Sequence, residues 1–393
     1  MPLLRQTRLL LYCHNTVGLG HISRTVQIAA AAADREDCEC RIITGCRFLH
    51  RLRLDPRVPI EELPPARVVE GFRLTSVDCE QGEDVMELRG RRIEQFTRSW
   101  SPDVFLADHA PLGLAGELVP TLTSARREGW PTRFVWGLRD IRTDPQHAVR
   151  TIRKPGNPAV REALGVYCGA LAYSDKEWID PFEVYKNWFL PERCEYVGVV
   201  ARRPFPTVRP PVPTVVTLAG GGTRGAQLFQ MVFKAASPLL ESHDLKLRFV
   251  VGPFGSMDRF SVPEKLRERV ELLADCSTEE AIRDASMVVS RVGYNTAYTV
   301  IQTDVPIVFV PLPAPGQEQG YRARMLGRLA NVSVIEEDGQ RAEEELRAAI
   351  QRGLGSSPVM RELPFRIDGA RGAADLLMEI ADVKEKAVEA SYC

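Results

Sequence analysis

The stretch "NTVGLGHISR", residues 15 to 24, sets His21 directly after Gly18 and Gly20 and ahead of an alanine-rich run. An imidazole in the first turn of a helix meets the positive helix end, and burial adds to the cost of its charged form, so the ring stays neutral near pH 7. A neutral ring can take a proton, which makes His21 a candidate general base. A histidine that caps the turn through its own hydrogen bonds is the other reading of the same residues. A base works best when a second group fixes its tautomer. Asp108 ends the apolar run "DVFLAD", residues 103 to 108, and is the candidate for that role. His109 beside it is either a rival base or a solvent-facing loop residue.

A second glycine loop, "AGGGTRGA", spans residues 219 to 226. Gly220, Gly221 and Gly222 follow an apolar run, which makes sense where backbone must come close to something. Bare N–H groups ahead of a helix form a diphosphate cradle, to which Thr223 adds a hydroxyl and Arg224 a charge. Further along, Arg291, Gly293, Tyr294, Asn295 and Thr296 lie in "SRVGYNT", and Gln317, Glu318 and Gln319 follow "PLPAPG". All of them fall at strand ends and helix starts, where a ligand site at the carboxyl edge of a parallel sheet would need them.

The elements that must carry these residues read as α/β. "TRLLLYCHN" is a short apolar run of the buried parallel-strand kind, and "ISRTVQIAAAAADR" after the first glycine turn has helical spacing. The order strand, glycine loop, helix recurs at "TVVTLAGGGTRGAQLFQMVFKAAS", residues 214 to 237. Two such openings predict two Rossmann-like parallel-sheet domains. The proline-rich "RRPFPTVRPPVPT", residues 202 to 214, stiffens the chain between them. The expected division is residues 1–205, 206–368, and a closing helix within 369–393 that packs back on the first domain.

Length and composition narrow the classes. At 393 residues the chain exceeds one ordinary core, and its 51 basic against 52 acidic side chains set up no global field toward nucleic acid. No run nears the roughly 18 apolar residues of a membrane span, and the N-terminal segment lacks a signal-type cleavage site. Nine scattered cysteines read as reduced cytoplasmic thiols, with no zinc or other metal site expected. The first loop nearly spells a dinucleotide fingerprint. Ser23 stands where its third glycine belongs, however, and no carboxylate follows the second strand-like run before Asp55. Neither glycine loop is followed by the Lys-Ser or Lys-Thr of a Walker loop.

Four segments, "GLGHISRT", "GGGTRGA", "SRVGYNT" and "PLPAPGQEQGYRA", resemble in order those of the GT-B glycosyltransferases of family 28, the group that includes the cell-wall N-acetylglucosaminyltransferase acting on lipid I. "PDVFLADHAPLG" and "GLRDI" are similar to stretches of related predicted bacterial glycosyltransferases. The resemblance implies an N-terminal acceptor domain and a C-terminal nucleotide-sugar domain across a cleft. It implies metal-free transfer with inversion and no cofactor beyond the nucleoside-diphosphate sugar donor. By carry-over, Gly220 to Ala226 hold the diphosphate, Gly293 to Thr296 line the nucleotide, Gln317 to Gln319 meet the sugar, and His21 lies near the acceptor. Two positions depart from the family. Thr299 stands where a ribose-binding glutamate is expected, and Arg322 replaces an asparagine near the donor sugar, so the base and sugar stay open. The expected partners are the donor and a small soluble acceptor, in the cytoplasm and in specialised-metabolite biosynthesis, with a homodimer among the assemblies allowed. A sugar-nucleotide 2-epimerase of the same fold and a non-catalytic sugar-nucleotide-binding protein are the alternatives.

Overall fold

The computed structural model describes residues 5–14, 18–68, 74–76, 84–141, 155–186, 188–220, 225–252, 255, 260–274, 276–313 and 318–389. The chain divides into two units, one of Met1–Ile141, Pro145–Val200 and Phe365–Cys393, the other chiefly Ala201–Pro364.

The first unit runs β1 (Thr7–Cys13), α1 (Gly20–Ala33), β2 (Cys38–Thr44), β3 (Ile60–Glu62), the hairpin β4 (Ala66–Val68) and β5 (Leu74–Ser76), α2 (Val85–Trp100), β6 (Val104–Asp108), α3 (Val119–Glu128), β7 (Arg133–Arg139), β8 (Tyr167–Tyr173) and β9 (Arg193–Tyr196). Among the described residues seven strands form one parallel sheet in the order β3-β2-β1-β6-β7-β8-β9. The middle of the sheet is its apolar part: β6 is buried at every position, whereas β2 carries Glu39 and Arg41, and the edge strands β3 and β9 are polar and partly exposed. Strand order reverses between β1 and β6, where Cys13 pairs with Asp108, so the crevice outside these two carboxyl ends is the unit's switch point. The closing helix Gly369–Glu389 packs on α1 and reaches β1, β6 and β8. It comes close through Gly369 and Gly372, where a Cβ would fall 2.3 Å from the Gly198 carbonyl oxygen and 2.6 Å from that of Val197.

The second unit holds β10 (Thr214–Leu218), β11 (Lys246–Val250), β12 (Val270–Leu273), β13 (Met287–Ser290), β14 (Ile307–Phe309) and β15 (Val332–Val334). They form a parallel sheet in the order β12-β11-β10-β13-β14-β15. The helix Gly225–Ser242 presents Leu228, Val232, Ala235 and Leu239, spaced three and four apart, to the core shared with Val215, Leu247 and Val289. Gly225 starts that helix because a Cβ there would lie 2.8 Å from the Ala219 Cβ. The switch point of this sheet lies between β10 and β13, where Leu218 pairs with Ser290. Among the described residues no helix is long and apolar enough to cross a membrane.

Gly137 in β7 leaves the space that the Tyr173 ring fills: a Cβ would sit 2.1 Å from the Tyr173 hydroxyl. Gly137→Ala is therefore expected to overpack the sheet and lower stability by about 1–3 kcal/mol, read as a drop in thermal or denaturant midpoint. An unchanged midpoint would show that Tyr173 moves aside freely.

Candidate functional site

The carboxyl edge of β1 and β6 gathers three histidines and a buried carboxylate. His14 follows β1 directly, Asp108 closes β6, His109 comes next, and His21 occupies the first turn of α1. Gly18 precedes that turn at φ 85, a left-handed conformation that suits glycine. His109 is itself left-handed at φ 61. Its backbone N–H donates to the Gly137 carbonyl oxygen at 2.6 Å, and its own carbonyl accepts from Trp136 Nε1 at 3.1 Å. The turn after β6 is thus tied to β7.

Asp108 is 1% exposed and lies 2.8 Å, Oδ2 to Nδ1, from His21, whose side chain is 21% exposed. The juxtaposition expected of these two residues is present. Arg24, one turn further along α1 and 1% exposed, closes on both oxygens of Asp108 at 2.8 and 3.0 Å. The Tyr173 ring lies 5.2 Å from its guanidinium carbon. The His14 and His109 rings sit 4.4 and 5.2 Å from that of His21, centroid to centroid. His109 is partly buried against His21, so it is not a solvent-facing loop residue. The Nδ1 atoms of His14 and His109 are buried with no hydrogen-bond partner among the described residues.

Burial sets the charges here. It lowers the basicity of His14 to a pKa of about 3 and of His109 well below the ordinary histidine value, and it lowers that of His21 against the pull of Asp108. Asp108 resists burial: the Arg24 charge and the His21 hydrogen bond hold its carboxyl below the usual carboxylate range. The edge therefore carries neutral rings around one ion pair, and a neutral His21 can accept a proton. The loop that follows is anchored by a buried network in which Arg89 Nη2 donates to Glu117 Oε1 at 2.9 Å, and Tyr12 donates to the same carboxylate.

At the second unit's switch point the predicted residues fall differently. Gly220 follows β10 at φ 69, and among the described residues a Cβ added to Gly220 or Gly293 would meet no other atom within 4 Å. Gly221, Gly222, Thr223, Arg224 and Gln317 lie outside the described residues. Asn295 and Thr296 are partly exposed in the short helix Tyr294–Val300, whereas the Tyr294 ring is buried against Tyr298 at 4.8 Å. Arg291, expected at the ligand site, lies just past the end of β13. Its side chain is 5% exposed, and Nη2 pairs with Glu337 Oε1 at 2.6 Å, so it braces the strand ends. Gln319 braces them too, its Oε1 accepting from the backbone N–H of Val292 and of Leu312 at 3.1 Å each. Glu318 begins the helix Glu318–Leu326 with its side chain 26% exposed. Arg322 is fully buried and donates to the Val292 carbonyl at 2.5 Å, so it is no stand-in for an asparagine at a sugar. Thr299 is 3% exposed and likewise faces the packing.

Residues 215–362 match the glycosyltransferase family 28 C-terminal domain. A stretch of 175 residues, 44% of the chain, is 26% identical to the UDP-N-acetylglucosamine--N-acetylmuramyl-(pentapeptide) pyrophosphoryl-undecaprenol N-acetylglucosamine transferase of Campylobacter hominis. The matched chain spans half that relative's length. The glycosyltransferase of kitacinnamycin superposes with a TM-score of 0.61 at 15% identity, covering 97% of this chain and 99% of the other. The glycosyltransferase VinC, solved in complex with dTDP, superposes with a TM-score of 0.56 at 15% identity over 98% of both chains. These likenesses establish the GT-B fold.

His14 gives a stability signature. Its folded pKa lies below its unfolded one, so between about pH 6.5 and pH 3 the unfolded chain binds the extra proton and stability falls as pH falls. His14→Gln is expected to flatten the acid side of a plot of denaturant midpoint against pH, removing a loss of up to about 5 kcal/mol. A slope identical to that of the parent chain would contradict a neutral, buried His14.

Proposed function

Since residues 215–362 match a glycosyltransferase family 28 C-terminal domain in a chain of GT-B fold, we propose that the protein transfers a sugar from a nucleoside-diphosphate sugar to a small soluble acceptor, with inversion. The observation that carries the reading is the His21–Asp108 pair at the switch point of the first sheet, in a chain whose second sheet opens its own switch point with a left-handed glycine. A nucleoside diphosphate on VinC, a protein of the same fold, supports a ligand of that class here.

In this reading the second unit holds the donor. The positive N-terminal end of the helix Gly225–Ser242 stabilises the diphosphate as its charge grows, and the open space at Gly220 and Gly293 admits it close to the chain. The first unit serves the acceptor. As the acceptor oxygen bonds to the anomeric carbon and the bond to the diphosphate breaks, His21 takes the hydroxyl proton and Asp108 stabilises the imidazolium. The protein acts in the cytoplasm, and a role in specialised-metabolite biosynthesis accords with the kitacinnamycin neighbour.

Thermal denaturation with UDP, dTDP, GDP and their common sugars is expected to single out one nucleotide, with stabilisation of about 2.7 kcal/mol at a hundredfold excess over Kd. With that donor and a panel of small hydroxyl acceptors, mass spectrometry should detect the glycosylated product, and His21→Ala should reduce its rate by about 10²–10⁴. Conversion of the donor without any acceptor would point to an epimerase. Stabilisation by no nucleotide would overturn the reading.

A further inference from the structure

Arg24 has no role in the proposed chemistry, yet it holds the carboxylate that orients His21. Its Nη2 is 2.8 Å from Asp108 Oδ2, 3.0 Å from Oδ1 and 3.0 Å from His21 Nδ1, and its Nε is 3.3 Å from Oδ1. Two proton arrangements fit these distances. In one, His21 carries its proton on Nδ1 and donates it to Asp108, while Arg24 donates to the carboxylate alone. In the other, Arg24 donates to a bare Nδ1 and the proton sits on Nε2, so the ring offers a donor where a base is needed. The second arrangement sets two lone pairs, of Nδ1 and Oδ2, against each other at 2.8 Å. The first leaves two donors, Nη2 and Nδ1, 3.0 Å apart, but both have an acceptor in Asp108, because an ionised carboxylate has four acceptor sites.

We propose that Arg24 is a positioning residue which, through Asp108, fixes His21 in the Nδ1–H tautomer and so leaves Nε2 as the nitrogen that can take a proton. The inference rests on reading His21 as the base, and its test needs no sugar transfer. The guanidinium fork grips both carboxylate oxygens, a geometry that a point charge cannot reproduce. The titratable and charged groups around the ring are Arg24 on α1, His14 after β1, Asp108 and His109 from β6, and Arg139 from β7. Burial lowers the ring's basicity first; Asp108 raises it, and Arg24 and Arg139 lower it. Loss of the Arg24 charge with Asp108 kept should therefore move the titration of His21 upward.

The experiment is ¹⁵N and ¹³C NMR of the full chain labelled at histidine, with the His21 signals assigned by their loss in His21→Gln. The parent chain should show His21 protonated at Nδ1 and bare at Nε2. Arg24→Gln should raise the His21 midpoint by about one pH unit and populate the other tautomer. Arg24→Lys keeps the charge and loses the fork, so it should hold the midpoint near that of the parent while tautomers still mix. A parent ring protonated at Nε2 overturns the proposal, and so does an unmoved midpoint with a single tautomer in both variants. If Arg24→Gln does not fold, the parent tautomer and the Arg24→Lys mixture decide. A chain that passes these measurements yet transfers no sugar supports the role of Arg24 and overturns only the assigned reaction.

Discussion

A carboxylate with almost no access to water organises the first unit. Asp108 ends a strand buried along its whole length, and an ion in that position persists only if it is paired and hydrogen-bonded. Arg24 and His21 supply both from one turn of α1, which fixes where that helix starts relative to β1 and β6. The pairing propagates. Arg24 rests over Tyr173, Tyr173 needs Gly137 without a side chain, and the Gly137 carbonyl holds the left-handed His109. Breaking a buried pair by removing one partner commonly costs 3–5 kcal/mol, so this corner is kept by mutual dependence and tolerates little independent change.

The second unit solves a related problem with its charges turned inward. Arg291 pairs with Glu337, Arg322 donates to a carbonyl beneath the strand ends, and Gln319 joins two loops through one oxygen. These polar side chains stiffen the edge, and room is left at positions with no side chain at all. Such an edge suits an anion held by backbone N–H groups, which carry fixed dipoles and need no reorganisation when charge develops.

Much of this was legible in the sequence, for physical reasons that also mark where legibility stopped. Strand, glycine loop and helix leave a local signature, and a carboxylate at the end of an apolar run is visible in "DVFLAD". Arg24 escaped notice because it sits among helix formers in "ISRTVQIAA", although its spacing of three from His21 put both on one helix face. The Tyr12, Glu117 and Arg89 network was beyond reach, since its partners lie 28 and 105 residues apart. The partners of Arg291 and Arg322 were out of reach for the same reason: Glu337 lies 46 residues from Arg291, and the Val292 carbonyl 30 residues from Arg322.

The two switch points share one topology and differ in chemical character. The first edge collects imidazoles kept neutral by burial and aims a carboxylate at one of them, which suits drawing a proton from an uncharged nucleophile. At the second edge the described residues hold Arg291 in an ion pair and leave space beside the glycines, which suits an anionic group whose charge increases as it departs. Two parallel sheets, each with its own reversal of strand order, let one chain hold both environments without compromise.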